Sequence, residues 1–345
     1  MKVCVTGGSG FIGGYVCEAL RARGDEIVIL DLIDPPAVNV HDRFVKGDIR
    51  DRAACDAAFA GCDLVFHLAA AHHDFGIEER TYFDVNEGGA RVMCEAMDAA
   101  GITRCVFYST VALYGEAAEP VDETTPPSPI NPYGASKLAG EEVFRGWCDG
   151  GEGRECLVIR PTVTFGPRNF ANVYSLIRQI HSGKYVTVGR ADNYKSLSYV
   201  ENIVAATFFL LQRRAGGGGE AFEIFNWVEK PDLTSHGISA AIFRSMGKSM
   251  PSWRIPMWTA KLLALPFDVV IAVTGRNLPI SSARVHKLFA AQTKFEAAKA
   301  REAGFEPEIT LEQGIDRMVQ WYLAGGKDES AEWHQPPAEV VRYGG

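Results

Sequence analysis

The strongest constraint on this chain is a run of glycines that follows directly on its first apolar segment. Lys2–Thr6 (KVCVT) is a short, β-branched run with strand character, and the helical apolar period of Phe11 to Arg23 begins within the glycine motif itself. Gly7-Gly8-Ser9-Gly10-Phe11-Ile12-Gly13 satisfies both G-x-x-G-x-x-G (7, 10, 13) and G-x-G-x-x-G (8, 10, 13). Glycine suits this position because a tight strand-to-helix turn needs unusual backbone angles and leaves no room for a Cβ between helix and strand. The free N–H groups and the positive dipole end of the following helix then form a site for phosphate. Asp31 ends the second predicted strand, 18 residues beyond Gly13, where its carboxylate can accept from both hydroxyls of a ribose. No arginine follows in Asp31-Leu32-Ile33-Asp34 to hold a 2′-phosphate, so the pattern predicts NAD rather than NADP.

Periodicity extends this beginning into an α/β fold. Strands are predicted at Lys2 to Thr6, Glu26 to Leu30, Arg43 to Lys46, Leu64 to His67, Arg104 to Tyr108 and Cys156 to Ile159. Helices are predicted at Phe11 to Arg23, Arg52 to Phe59, Asn86 to Ala100 and Tyr133 to Trp147. Strands rich in Val, Ile and Phe that alternate with helices point to a Rossmann-type, doubly wound parallel sheet covered on both faces. Beyond residue 160 the elements shorten and Pro and Gly punctuate them. The expected division is a dinucleotide-binding domain at 1–160, a smaller interleaved substrate lobe at 161–330 and a tail at 331–345. Tyr199 to Leu211 and Ala221 to Phe225 are expected to return to the first domain.

Composition excludes several classes. The 345 residues carry 35 Lys and Arg against 43 Asp and Glu, a net charge of -8, which leaves no broad basic surface for a nucleic-acid backbone. The eight cysteines (4, 17, 55, 62, 94, 105, 148, 156) contain no C-x-x-C pair, so reduced core thiols are expected rather than zinc ligands or a disulfide framework. The amino terminus runs straight into its first strand without a secretory leader, and a cytoplasmic setting is expected. Ile255 to Gly275 approaches the length of a membrane span, but Lys261, Pro266 and Asp268 interrupt it. A buried helix pair broken at Pro266 is the expectation there, with a membrane-surface or apolar-ligand contact as the alternative.

Several positions fit a bound dinucleotide and a reacting hydroxyl. Asp48-Ile49 follows the third strand, where the acid could accept from an adenine amino group and the Ile could pack on the ring. Leu68-Ala69-Ala70 closes the fourth strand with side chains small enough to let backbone approach the cofactor. Tyr133-Gly134-Ala135-Ser136-Lys137 puts Tyr and Lys at i and i+4, on one helix face. An ammonium beside a phenol favours phenolate, which brings a group of pKa about 10 toward neutrality and makes Tyr133 a candidate base. Ser109-Thr110 at the end of the fifth strand adds hydroxyls to share that proton. His72-His73-Asp74 lacks the spacing and remote third ligand of a metal site, so no metal is expected.

These residues together resemble the extended short-chain dehydrogenase/reductases, and within them the NAD-dependent nucleotide-sugar epimerase/dehydratase branch. The resemblance runs over nearly the whole chain: TGGSGFIG, Asp31, Asp48-Ile49, HLAA at 67–70, DVN ending at Asn86, STVALYG, YGASK, Arg160-Pro161, Phe165-Gly166-Pro167 and YVEN at 199–202. It implies Thr110, Tyr133 and Lys137 as the catalytic trio, with Asn86 as a buttress. It places NAD against Gly7, Gly10, Phe11, Ile12, Gly13, Asp31, Asp48, Ile49, Leu68, Ala69, Ala70, Asn86, Ser109, Tyr133, Lys137 and Pro161. It also implies a nucleotide-diphosphate sugar as substrate and a homodimer formed through the Asn86 and Tyr133 helices.

Departures from the family pattern narrow the reaction. Val111 and Ala112 stand where sugar dehydratases carry acids, and neither moves a proton, so dehydration is disfavoured and epimerisation at C4 is favoured. Val163 replaces an asparagine, and Lys195 an arginine, that contact the substrate diphosphate in many relatives. His72, Lys195, Arg284 and Lys287, with Thr110 and Tyr133, are the expected substrate contacts. The resulting expectation is a nucleotide-sugar 4-epimerase in glycan-precursor synthesis. A 3-beta-hydroxysteroid-type dehydrogenase or a net nucleotide-sugar dehydrogenase is the alternative, supported by the apolar 255–275 run.

Overall fold

The structure is a computed structural model that describes residues 1–72, 77–116, 120–259, 262, 265–266 and 293–329. Seven strands form one parallel sheet: β1 (Lys2–Thr6), β2 (Glu26–Asp31), β3 (Arg43–Lys46), β4 (Leu64–His67), β5 (Arg104–Tyr108), β6 (Glu155–Pro161) and, after four short strands described below, β11 (Phe222–Trp227). Their order is β11-β6-β5-β4-β1-β2-β3. The chain winds outward from β1 in one direction through β2 and β3, then returns and winds the other way from β4. The carboxyl ends of β1 and β4 therefore bound the crevice where such sheets take their ligands.

Strict alternation within the strands builds the two faces. In β1, Cys4 points into one core while Val3 and Val5 point into the other; in β2, Val28 and Leu30 join the first, and Ile27 and Ile29 the second. The first face is covered by α2 (Arg52–Phe59), α4 (Gly89–Ala100) and α5 (Pro132–Asp149), and the second by α1 (Phe11–Ala22) and α7 (Val200–Ala215). Each fully buried Val, Leu, Ile or Phe contributes about 1.5–3 kcal/mol, so the two layers fix the register of every strand. All eight cysteines are buried and none is disulfide-bonded.

The predicted elements match closely, with one informative difference. The expected helix from Asn86 is preceded by α3 (Glu79–Phe83) and a π-turn at Asp84–Gly88, which carries Asn86 inward. The two expected returns also occur: α7 lies on the sheet, and β11 pairs in parallel with β6 from Phe222↔Cys156 to Trp227↔Pro161.

A third apolar cluster packs α6 (Asn172–His181) and α8 (Ser235–Ser245) against the helix Leu311–Trp321. Three strand pairs border it. β7 (Val163–Phe165) pairs with β10 (Leu197–Tyr199), β8 (Thr187–Val188) with β13 (Arg254–Ile255), and β9 (Tyr194–Lys195) with β12 (Leu233–Thr234). The burial expected for the 255–275 run is not found where that run is described, since Trp258, Leu262 and Leu265 are 69%, 55% and 49% exposed. Apolar content predicts burial only where a facing surface exists to receive it. Residues 267–275 lie outside the described part.

The carboxyl end of β6 holds a buried ion pair. Arg160 Nε donates to Glu141 Oε1 at 2.9 Å and Nη2 to Oε2 at 2.5 Å, while Nη1 donates to the Tyr114 hydroxyl at 2.6 Å. Tyr114 in turn donates to Asn226 Oδ1 at 3.0 Å. Arg160 and Glu141 are 3% and 1% exposed, so removing one partner strands the other charge in the interior. Arg160→Met is expected to lower unfolding free energy in urea by about 3–5 kcal/mol. The double substitution Glu141→Leu/Arg160→Met is expected to regain most of that loss, and a double variant as unstable as the single one would refute this account.

Candidate active site

The glycine turn is held by contacts that only glycine permits. Gly7 has φ +74°, and a Cβ there would meet the Ala69 backbone nitrogen at 2.6 Å. A Cβ on Gly13 would collide with the Gly7 carbonyl oxygen. α1 begins at Phe11 after Gly10 with no side-chain cap and no acid in its first turn, so its leading N–H groups present an uncompensated positive end. Asn39 secures the loop by donating to the Gly8 carbonyl at 2.8 Å, a role that no local motif announces.

Asp31 caps this turn from β2. Its Oδ2 accepts from Ser9 N at 3.0 Å and its Oδ1 from Ile33 N at 3.3 Å. Burial raises its pKa, and those N–H groups oppose the rise. Asp48 and Ile49 also lie near the strand ends, but both are already engaged. Asp48 receives Arg50 Nη2 at 2.6 Å and Nε at 3.0 Å, and Ile49 packs against Gly89 in the core. A contact with adenine there would have to share a filled carboxylate.

Asn86 joins the loop after β4 to α5. Its Oδ1 accepts from Ala71 N at 2.9 Å, and its Nδ2 donates to Ala71 O at 3.0 Å and to Ser136 Oγ at 2.9 Å. Leu68, Ala69 and Ala70 precede this clasp, with the amides of Leu68 and Ala69 both donating to Thr6 O. His72 lies at the exposed rim, its Nδ1 donating to Ala70 O at 3.1 Å.

The three residues expected to be catalytic, Thr110, Tyr133 and Lys137, lie just after β5 and in the first turns of α5. Thr110 is extended and caps the short turn Val111–Tyr114, its Oγ1 accepting from Ala112 N at 3.1 Å, which leaves its hydroxyl proton for donation. Asn131 caps α5 through Gly134 N at 2.8 Å, with Pro132 in the first turn. A Cβ on Gly134 would stand 2.6 Å from Ala112 O, and one on Gly140 would stand 2.8 Å from Asn86 O, so both glycines let α5 sit directly on the Thr110 turn and the π-turn. Tyr133 lies against the Tyr82 ring at 6.5 Å.

Lys137 is 1% exposed, with its Nζ 4.1 Å from the centroid of Phe107. Burial pushes its pKa down to about 7, opposed by Glu141 one helical turn on. Beside it His67 stacks on Phe107 at 5.1 Å and bonds Thr6 Oγ1 through Nδ1 at 2.9 Å. Burial, then the charge of Lys137, holds His67 well below the ordinary imidazole pKa, so it is neutral at neutral pH. The His67–Phe107 platform was not singled out in the sequence, although HLAA contains one of its members.

These features fit a dinucleotide. The Gly7 cradle, the uncapped α1 terminus and Asp31 suit its phosphates and ribose. Ser109 Oγ is buried without a hydrogen-bond partner among the described residues, beside Thr110 and ahead of Pro161 at the end of β6, where a ligand hydroxyl or amide would satisfy it. Lys195 lies on β9, paired with Leu233, while Val163 is 45% exposed on β7. Arg284 and Lys287 lie outside the described residues. Among the described residues there is no cluster of metal-binding side chains.

A doubly wound sheet with this turn, this acid and a Ser/Thr–Tyr–Lys set defines an NAD-dependent enzyme of the extended short-chain dehydrogenase/reductase type. The chain belongs to the NAD-dependent epimerase/dehydratase family, whose description matches residues 3–224, and its cofactor is NAD. It is 38% identical over 330 residues to N-acetyl-alpha-D-glucosaminyl-diphospho-ditrans,octacis-undecaprenol 4-epimerase of Escherichia coli O157:H7, covering 95% of this chain and 97% of that one. UDP-glucose 4-epimerase of Lacticaseibacillus casei is 38% identical over 172 residues, 46% of this chain and 50% of that protein. The Thermus thermophilus UDP-glucose 4-epimerase structure in complex with NAD superposes with a TM-score of 0.71 at 25% identity, covering 94% of this chain and 99% of the other.

Two outcomes test the site. Asp31→Ala is expected to weaken NAD binding roughly 10- to 100-fold, the worth of a charged hydrogen bond, and to narrow the preference over NADP, as read by calorimetry. Unchanged NAD affinity would remove the ribose role. For Lys137 the sign follows from its lowered pKa: between pH 7 and 10 the unfolded chain binds more protons at this amine, so this group makes stability rise with pH in that window. Lys137→Met should therefore raise the melting temperature of the NAD-free protein at pH 7 while abolishing turnover, and a lower melting temperature would contradict the burial cost.

Proposed function

We propose that the protein is a C4 epimerase of a sugar carried on a diphosphate, with Tyr133 as the base. The observation that carries this reading is the seating of Tyr133 and Lys137 on the same helix as two glycines that press it onto the Thr110 turn, with Val111 and Ala112 supplying no further proton-transfer group. Tyr133 takes the proton of the C4 hydroxyl, and Thr110 donates to the same oxygen as charge develops. Lys137, in its protonated form, stabilises the phenolate. NAD, held by the Gly7 turn and Asp31, would supply a reversible hydride acceptor for C4, and rotation of the 4-keto sugar in the pocket would expose its other face to the returning hydride. Tyr133 then restores the proton, so no net redox change results and no added acid is needed.

The carrier is proposed to be a polyprenol. The likeness to the undecaprenol-linked 4-epimerase runs through 95% of this chain, whereas likeness at the same identity to the L. casei UDP-glucose enzyme covers 46%. The alignment with the former therefore includes the part of the chain beyond residue 160, where the substrate lobe is expected. A UDP-sugar is the second reading, supported by the shared fold of the T. thermophilus enzyme.

Incubation with N-acetylglucosaminyl diphospho-polyprenol in detergent micelles, and separately with UDP-N-acetylglucosamine, tests both readings through the sugar released by mild acid. The expected result is appearance of the C4 epimer from the polyprenyl substrate without accumulation of NADH. Turnover of the UDP-sugar alone would reassign the carrier, and stoichiometric NADH would reassign the reaction. Tyr133→Phe is expected to lower kcat by about 100-fold or more with NAD affinity retained; a smaller effect would displace Tyr133 as the base.

A further inference from the structure

The stretch beside β13 combines exposed aromatic side chains with exposed positive charge. Trp147 and Trp227 are 6% and 1% exposed, with indole N–H groups donating to Asp98 and Glu229. Trp253 and Trp258 are 56% and 69% exposed. Residues 257–259, 262 and 265–266 are helical, and Trp258, Leu262 and Leu265 stand at i, i+4 and i+7, the spacing of one helix face. A face of this kind turned to water is costly for a monomeric protein and marks a contact surface.

The cations nearby point to what covers it. β13 pairs with β8, the Gly189 amide donates to Ile255 O at 2.8 Å, and Arg254 Nη1 donates to Arg190 O at 3.2 Å, which brings the two arginines to one edge. Both are exposed, and among the described residues neither pairs with an acid, although most other arginines of this acidic chain do. Arg190 also lies in the same short stretch as Lys195, an expected substrate contact. One indole and two leucines on a helix face, with a second exposed indole ahead of β13 and flanking arginines, match the composition of segments that lie in the headgroup layer of an anionic bilayer. A membrane span is not what this describes, since no helix among the described residues is long and apolar enough to cross.

We propose that Trp253, Trp258, Leu262 and Leu265, with Arg190 and Arg254, form a face that docks the enzyme onto an anionic phospholipid surface. This rests on the polyprenol reading above: a sugar on a long polyprenyl chain resides in the bilayer, and an enzyme that must reach its diphosphate gains by resting at the headgroup level. The indoles enter the acyl boundary, and the arginines pair with lipid phosphates while the sugar-bearing end extends toward the protein.

The test uses the full-length protein with NAD and vesicles of phosphatidylethanolamine and phosphatidylglycerol, with phosphatidylcholine vesicles as the neutral comparison. Cosedimentation with the anionic vesicles and quenching of tryptophan fluorescence by phospholipids brominated in the acyl chain are expected. Trp253→Ala/Trp258→Ala should weaken vesicle partitioning roughly tenfold and remove the bromine quenching, with NAD binding unchanged. Arg190→Glu/Arg254→Glu should weaken anionic-vesicle binding and erase its salt dependence while leaving the neutral-vesicle signal in place. Wild-type partitioning by the tryptophan variant overturns the proposal. So does a change of oligomeric state in that variant without any bromine quenching in the parent, which would give the face to a second copy of the chain. Failure of the parent to bind vesicles while it epimerises the polyprenyl substrate in micelles overturns the docking face and leaves the carrier assignment standing. Vesicle binding with turnover of UDP-sugars alone supports the face and removes the carrier assignment.

Discussion

The close seating of one helix governs this molecule. α5 carries Tyr133 and Lys137, and neither can be placed unless the helix backbone touches two other segments that supply the site. Gly134 and Gly140 permit those approaches, to Ala112 and Asn86 respectively. Glu141, one turn beyond Lys137, then anchors the helix to Arg160 on β6, and Arg160 reaches Tyr114 in the turn that Thr110 begins. Thr110, from one part of the chain, and Tyr133 and Lys137, from another, are thereby held by a short path of close packing and buried hydrogen bonds. Geometry fixed in this way costs little reorganisation when a substrate binds.

The same arrangement sets the electrostatics. An ammonium buried against the Phe107 ring is expensive, and the protein lowers that expense with the ring face and with the carboxylate of Glu141. His67 stays neutral in the same enclosure and adds no competing charge. A lysine poised near neutrality responds strongly to a phenolate or a ribose placed beside it, a property that suits the proposed reaction, in which one proton moves out and back.

Much of this was legible in residues 1–160, because a parallel sheet buried on both faces leaves nearly continuous Val, Ile and Phe runs, and because glycines at 7, 10 and 13 have few other uses. The π-turn at Asp84–Gly88 was not legible: a single inserted residue leaves the helical period almost intact. Arg50 and Asn39 were missed for a different reason: each acts from a loop with no periodic signal, Arg50 on Asp48 two residues before it and Asn39 on the remote Gly8 carbonyl. Glu141 could have been found, standing at i+8 from Tyr133 on the face of Lys137. The 255–275 run misled because its hydrophobicity was legible and its missing partner surface was not.

The eight buried thiols have a consequence for how the folded state can be followed. They are divided between the two faces of the sheet and the helices that cover it, and burial pushes the pKa of every one upward. Thiolate is therefore scarce and inaccessible as long as either layer stays closed. The rate at which an alkylating reagent consumes these sulfurs becomes a clock for the opening of the layers, with the two faces timed separately by which cysteines are marked first.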